Sequence, residues 1–179
     1  MTNIGNVYGE ALYSLACEEG LSPQILQELT VLEESFVREP AFLRLLDAPN
    51  LTKEERCQIL DNSFHGNVHS YVLNFLKLLA EKSYARHFGD CCAAYRSRYN
   101  EDNGILPVTA VTAAPLSEEQ KTALNKKLAA VTGKTIQLHN RVDEKVLGGI
   151  RLDYSGIRLD DTLAHRLEDI RAKLKETVL

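Results

Sequence analysis

No run of about 18 apolar residues occurs in this chain of 179 residues, so no membrane-spanning helix is predicted. Glycine and proline are sparse, at 10 and 5 residues, which excludes a collagen-like chain. The apolar share of 44% is too high for a disordered one. The opening MTNIGNVYGEALYS lacks a basic region followed by an apolar core, so no secretory signal is expected. A reducing compartment is therefore expected for Cys17, Cys57, Cys91 and Cys92, which are read as core thiols on helices rather than as disulfides. Neighbouring Cys91 and Cys92 point to different sides of a helix and could bridge each other only with severe strain.

Charge of one sign is not in large excess either, since the net charge is −4. Residues 1–103 carry 9 Lys and Arg against 15 Asp and Glu, a balance of −6, and residues 104–179 carry 12 against 10, a balance of +2. Neither half is the basic stripe that a phosphate backbone requires, so nucleic acid is not an expected partner. The acidic half suits a basic or neutral protein partner.

Motifs that carry catalysis are missing as well. There is no Gly-x-x-x-x-Gly-Lys-Ser/Thr phosphate loop, and Gly148-Gly149 neither continues to a third glycine at dinucleotide-binding spacing nor opens a helix. Ser155 sits between two strands and reads as a turn serine, not a nucleophile elbow. His65 and His69 are four residues apart, but without a His-Glu-x-x-His pattern they read as solvated histidines at a helix start, and no metal is expected. Asp160-Asp161 before Thr162 reads as an acidic pair at a helix start. His87, His139 and His165 have no sequence neighbour that suggests a triad. Neither a catalytic residue nor a cofactor is expected.

What is present is helical periodicity. Ile4, Val7, Tyr8, Ala11, Leu12, Leu15 and Ala16 form one apolar stripe of a first helix, which Gly20 ends. Ser22 as N-cap and Pro23 open a second helix carrying Ile25, Leu26, Leu29, Leu32 and Phe36. Pro40 starts a short third one, and Thr52 with Glu55 forms a capping box for a fourth that carries Ile59 and Leu60. A fifth is predicted from about 67 to 80, with Val68, Tyr71, Val72, Phe75, Leu76 and Leu79 inward. A sixth is predicted from about 83 to 100, with Tyr84, Phe88, Cys91, Cys92, Tyr95 and Tyr99 inward.

After Asn103-Gly104 the period changes. Residues 105–112 read as a strand, near an edge or a strand end because of Pro107. Ser117 with Gln120 caps a helix carrying Leu124, Leu128 and Val131, ended by Gly133, and residues 135–142 alternate as a strand. Gly149-Ile150-Arg151-Leu152-Asp153 recurs as Gly156-Ile157-Arg158-Leu159-Asp160, which reads as a hairpin turning at Gly156. A last helix carries Leu163, Leu167, Ile170 and Leu174. The predicted fold is α+β: a six-helix bundle over 1–103, then a small β-α-β-β-β-α domain over 104–179.

These residues carry a resemblance. An acidic helical half opens with Tyr8-x-x-Ala11-Leu12 and continues to Asn74-Phe75-Leu76-Lys77-Leu78-Leu79-Ala80-Glu81-Lys82, with Arg86 beyond. The second half carries Val146-Leu147-Gly148-Gly149-Ile150-Arg151-Leu152, Asp160 and a Leu-x-x-x-Leu helix. Over essentially its whole length the chain resembles the delta-subunit family of bacterial F-type ATP synthase, the counterpart of the mitochondrial oligomycin-sensitivity-conferral protein. The Gly-Gly strand with its hairpin is the most specific part. Lys82-Ser83-Tyr84-Ala85-Arg86 departs from the Asn-Gly-Arg-like ending usual for the fifth helix.

The resemblance implies a non-catalytic stator subunit, one copy per complex, held peripherally at the cytoplasmic face of the bacterial membrane through the complex alone. It implies that the helical domain binds the N-terminal helix of an alpha subunit between the first and fifth helices, and that the smaller domain engages the b-subunit stalk. The complex would make ATP from a proton or sodium gradient.

Helix-in-groove binding needs apolar surface beyond one core stripe. On the first helix Tyr8, Ala11, Leu12 and Leu15, and on the fifth Phe75, Leu78 and Leu79, are expected to form or border the groove, with Gly5 and Gly9 a bare strip admitting another helix. Arg158, Arg166 and Leu167 are the expected contacts to the b subunit. A helical adaptor or regulatory module for a soluble partner, with the α+β tail as a dimerisation or ligand domain, fits the missing motifs equally well. A hydrolase assembled from scattered His and Asp is the remotest class and would require a deep pocket with at least two perturbed titratable groups.

Overall fold

The computed structural model describes residues 3–162 except positions 49, 145, 147 and 155. The chain divides into two compact units, Met1–Tyr99 and Asn100–Leu179. The first contains helices α1 (Asn3–Glu18), α2 (Ser22–Arg38), α3 (Pro40–Leu46), α4 (Lys53–Phe64) and α5 (Ser70–Glu81). A 3-10 turn (Ala85–His87) then leads into α6 (Phe88–Asp102), whose last turn holds the division. The second unit contains β1 (Ile105–Thr112), α7 (Glu118–Thr132), β2 (Thr135–Val142), β3 (Ile150–Tyr154) and β4 (Ile157–Asp160). The architecture is α+β.

Local sequence signals act as expected at several ends. Thr52 and Glu55 form a reciprocal capping box on α4, and two hydrogen bonds from Thr52 hold the Glu55 carboxyl below the usual glutamate range. Ser117 and Gln120 do the same for α7, which Gly133 ends in the left-handed conformation (φ 67°). The start of α2 differs: Leu21 is its N-cap residue, and the Ser22 hydroxyl instead reaches Cys17 Sγ at 3.2 Å.

The start of α6 also differs, for a non-local reason. Ser83 takes φ 58°, and the Asp47 carboxylate accepts hydrogen bonds from the N–H groups of Ala85 (3.2 Å) and Arg86 (3.1 Å). An acceptor placed 38 residues upstream supplies the cap and delays the helix to Phe88.

The first unit's core is built on Ile25, Leu29, Leu46, Leu60, Val72, Leu79, Phe88 and Tyr95, all nearly inaccessible to solvent. Phe36 stacks on Phe42 and meets Phe64 and Phe88 edge-on, joining four helices through aromatic contacts. Cys91 and Cys92 are buried as predicted, whereas Cys17 is exposed.

Arg56, only 6% exposed, is a buried charge with no carboxylate hydrogen-bonded to its guanidinium among the described residues. Its guanidinium donates to Ala80 O (3.0 Å) near the end of α5, to Ala48 O (2.8 Å) just past α3, and to Ser83 Oγ (2.8 Å). Carbonyls at helix C-termini carry partial negative charge, so they substitute for a counter-ion. Arg56→Lys offers a point charge in place of the fork and is expected to lower stability by about 1–3 kcal/mol in urea denaturation. An unchanged midpoint would show that the fork does not tie these elements together.

In the second unit the sheet order is β2-β1-β3-β4, with β1 and β2 parallel and the other two pairings antiparallel. β1 is therefore interior, so of the two expectations for Pro107 the edge strand is corrected and the strand end holds. Pairing with β3 covers only Thr109–Thr112 of β1, so Pro107, which has no N–H, lies where β1 is paired on one side only. Asn140 of β2 donates to Ala110 O (3.0 Å) and Thr112 Oγ1 (2.9 Å) and accepts from Leu116 N–H (2.8 Å), which pins the connection into α7. On α7, Leu124 and Leu128 are half-buried, but Val131 is 86% exposed instead of packing inward.

The predicted β3–β4 hairpin is present, with Tyr154 opposite Ile157 and Gly156 at φ 79°. Gly149 (φ 85°) lets the backbone of Asp161 and Thr162 approach so closely that a Cβ would collide with both. The predicted last helix, with Arg166 and Leu167, lies outside the described residues.

Candidate functional site: an apolar groove between α1 and α5

The orientation of α1 creates the site. Its buried residues are Gly5, Gly9, Leu12, Tyr13 and Ala16, so the helix is rotated from the orientation predicted by its apolar stripe. The glycines explain the rotation. A Cβ on Gly5 would stand 3.0 Å from the Asp90 carbonyl carbon, and one on Gly9 would meet the Cys91 carbonyl and lie 2.8 Å from the Ala94 Cβ. The bare strip predicted for a partner helix is occupied by α6 of the same unit. Tyr13 locks this contact by meeting the Tyr95 ring edge-on at 5.3 Å.

Part of the apolar stripe is thereby left toward solvent, Ala11 and Leu15 exposed and Tyr8 half-buried, while Leu12 and Ala16 stay buried. Tyr8, Ala11, Leu12 and Leu15 of α1 face Tyr71, Asn74, Phe75 and Leu78 of α5 across a groove of about 400 Å³. Leu12 (5% exposed) and Phe75 (6%) form its floor, and Leu15 (37%) and Leu78 (39%) stand on its walls. Ala11, with the smallest side chain of the set, leaves the channel open. At one end Tyr8 leans on Tyr84, with ring centroids 6.0 Å apart, and at the other His69 packs on Tyr71 at 5.0 Å.

Six of the seven residues predicted for the groove line it. Leu79 does not: it is 1% exposed and belongs to the core, since it stands about 100° round the helix from Leu78. Val7, on the same predicted stripe, is 59% exposed and does not line the groove. Tyr71 and Asn74 line it without having been predicted there, although each is four residues before a groove residue and so shares its face.

The groove can bind apolar surface but has little means to catalyse. No acidic, basic or histidine side chain lines it, and no cluster of three potential ligands for a metal exists among the described residues. His65 ends α4, which corrects its reading as a helix-start residue, while His69 caps α5 by accepting from Tyr71 N–H at 3.3 Å. Burial pushes the Cys91 thiol up to about 11 and raises Cys92 as well, the opposite of what a nucleophilic thiol requires. Asp160 accepts from the Thr162 N–H and hydroxyl. In the second unit Arg158 is exposed and pairs with Asp153 at 3.0 Å, and Arg151 approaches the same carboxylate at 3.6 Å.

An α+β chain whose helical unit presents an apolar groove between two helices has the surface of a protein that docks a partner helix. The chain belongs to the ATP synthase delta (OSCP) subunit family, whose model matches residues 4–174. It is accordingly a non-catalytic structural subunit, a peripheral part of the ATP synthase complex. No described helix is long and apolar enough to cross a membrane. The ATP synthase subunit delta of Clostridioides difficile (strain 630) is 30% identical over 176 residues, covering 98% of this chain and 97% of that one. The subunit delta of Syntrophomonas wolfei is 31% identical over 177 residues, covering 97% and 96%. The fold matches a chain of the Toxoplasma gondii mitochondrial ATP synthase hexamer with a TM-score of 0.78, over 97% of this chain and 98% of that one at 16% identity.

Proposed function

We propose that this chain is the stator link between the catalytic head and the peripheral stalk, with the α1–α5 groove holding the N-terminal helix of an alpha subunit. The second unit, including Arg158, Arg166 and Leu167, would engage the b subunit, and the assembled complex would couple ion flow to ATP synthesis at the cytoplasmic face of the membrane. The observation that carries this reading is the groove itself. It is apolar and bounded by two helices, and its walls stay part-exposed in the isolated chain.

A stator must resist torque through contacts that persist, which favours buried apolar area over titrating groups. Apolar burial contributes about 25 cal/mol per Å², and association entropy offsets a large part of it. The acidic balance of residues 1–103 adds steering toward a basic partner segment.

The test is association. The full chain should co-purify with the membrane-bound ATPase and bind a synthetic peptide of the alpha-subunit N-terminal segment saturably, with the b subunit bound independently of that peptide. A chain that ignores the peptide would place the alpha-subunit contact outside the groove, and one that recovers no ATPase subunit would overturn the stator reading.

A further inference from the structure

Apolar contact is non-directional, so the groove described above leaves one matter undetermined: which turn of the docked helix lies over which turn of α5. One residue can determine it. Asn74 interrupts the apolar wall between Tyr71 and Leu78 and also lines an adjoining depression of about 300 Å³, so it stands on the ridge between the two. On the far side of that ridge Lys77 Nζ and Asp61 Oδ1 already satisfy each other at 2.6 Å. The Asn74 side chain is exposed and makes no hydrogen bond among the described residues, and neither do the hydroxyls of Tyr8 and Tyr71. Water serves them in the isolated chain. A helix laid in the groove strips that water from Asn74, which then needs a partner on the incoming helix.

We propose that Asn74 is a register-setting residue: it accepts only the docking position that places one polar side chain of the incoming helix against its amide. The inference rests on the reading that the alpha-subunit N-terminal helix occupies this groove. Leu12, Leu15, Phe75 and Leu78 supply adhesion that several registers satisfy nearly equally. One desolvated amide raises the energy of every register except the one that hydrogen-bonds it, as a lone buried asparagine does in coiled coils. A stator benefits because a helix held in one register does not slip under load.

The experiment uses the full chain, its Asn74→Leu and Asn74→Ala variants, and the alpha N-terminal peptide with each polar residue that borders its apolar stripe replaced singly by alanine. Because Asn74 is exposed, both variants are expected to keep the helical circular dichroism of the unaltered chain. Calorimetric titration should find one peptide position whose replacement weakens binding to the unaltered chain about fivefold to tenfold and leaves both variants unaffected, while other positions act equally on all three. A spin label at one peptide end should broaden resonances at one end of the groove in the unaltered chain and at both ends in Asn74→Leu. Binding in which every peptide position acts equally on all three chains overturns the register role and leaves the docking reading standing. Failure of the unaltered peptide to bind the unaltered chain overturns both.

Discussion

Replacing Gly9 with leucine is expected to lower the unfolding free energy of the first unit by about 4 kcal/mol or more, enough to leave it partly unfolded at ambient temperature. Measured by urea denaturation, this should be the largest loss among single substitutions on α1. A Cβ at this position meets the Cys91 carbonyl and lies 2.8 Å from Ala94 Cβ, and neither atom belongs to a flexible side-chain end that could step aside. α1 would have to move off α6, opening the Tyr13–Tyr95 contact.

In Gly9→Ala two effects oppose each other. Alanine is favoured over glycine within a helix by about 1 kcal/mol, whereas overpacking costs about 1–3 kcal/mol. The collision with backbone decides the sign, so the variant should be less stable. Gly89, in the first turn of α6, has open space where a Cβ would point, with no atom within 4 Å, and Gly89→Ala should gain up to about 1 kcal/mol. If both alanine variants gained stability, the close α1–α6 approach would be wrong.

Leu78→Asp is expected to weaken binding of the alpha N-terminal peptide at least a hundredfold, a change of about 2.8 kcal/mol. Two terms add. Docking can cover the 39% of Leu78 still exposed, worth a fraction of the about 1.5–3 kcal/mol of a fully buried leucine, and a carboxylate covered by an apolar helix face without a partner is penalised by more. Leu78 is 39% exposed in the isolated chain and stands outside the buried core, so the variant should fold with some loss of stability, which urea denaturation reads separately from binding. Val7→Asp is the matched control, since Val7 is on α1 and more exposed but outside the groove lining. It should bind the peptide as the unaltered chain does. Equal affinities for folded Leu78→Asp and the unaltered chain would remove the groove from the interface.

Much of the groove could be read in the sequence because helical periodicity records which residues share a face. Tyr8, Ala11, Leu12 and Leu15 recur at spacings of three and four, and the apolar excess on α5 marked Phe75 and Leu78. Periodicity counts side chains, however, and glycine has none. The sequence therefore left the Gly5–Gly9 strip free for a partner helix, whereas the packing turned it toward α6, whose backbone approaches closely there. Asn74 went unmarked for a related reason: a polar residue on an apolar face counts as a gap in the pattern until the neighbouring helix is in place.

What the sequence determined by itself was whatever depends on residues a few positions apart: the capping boxes at Thr52 and Ser117, the left-handed ends at Gly20 and Gly133, the turn at Gly156, and the change from helical to strand period after Gly104. The tertiary structure alone decided what depends on residues far apart in the chain. It brought Asp47 to the start of the 3-10 turn, buried Arg56 among helix-end carbonyls, placed β1 inside the sheet, and rotated α1 so that apolar side chains faced outward. The physical reason is range. Capping and turn energies act over single residues, whereas burial is settled only when all helices compete for the same interior, and the apolar surface left over from that competition is the groove.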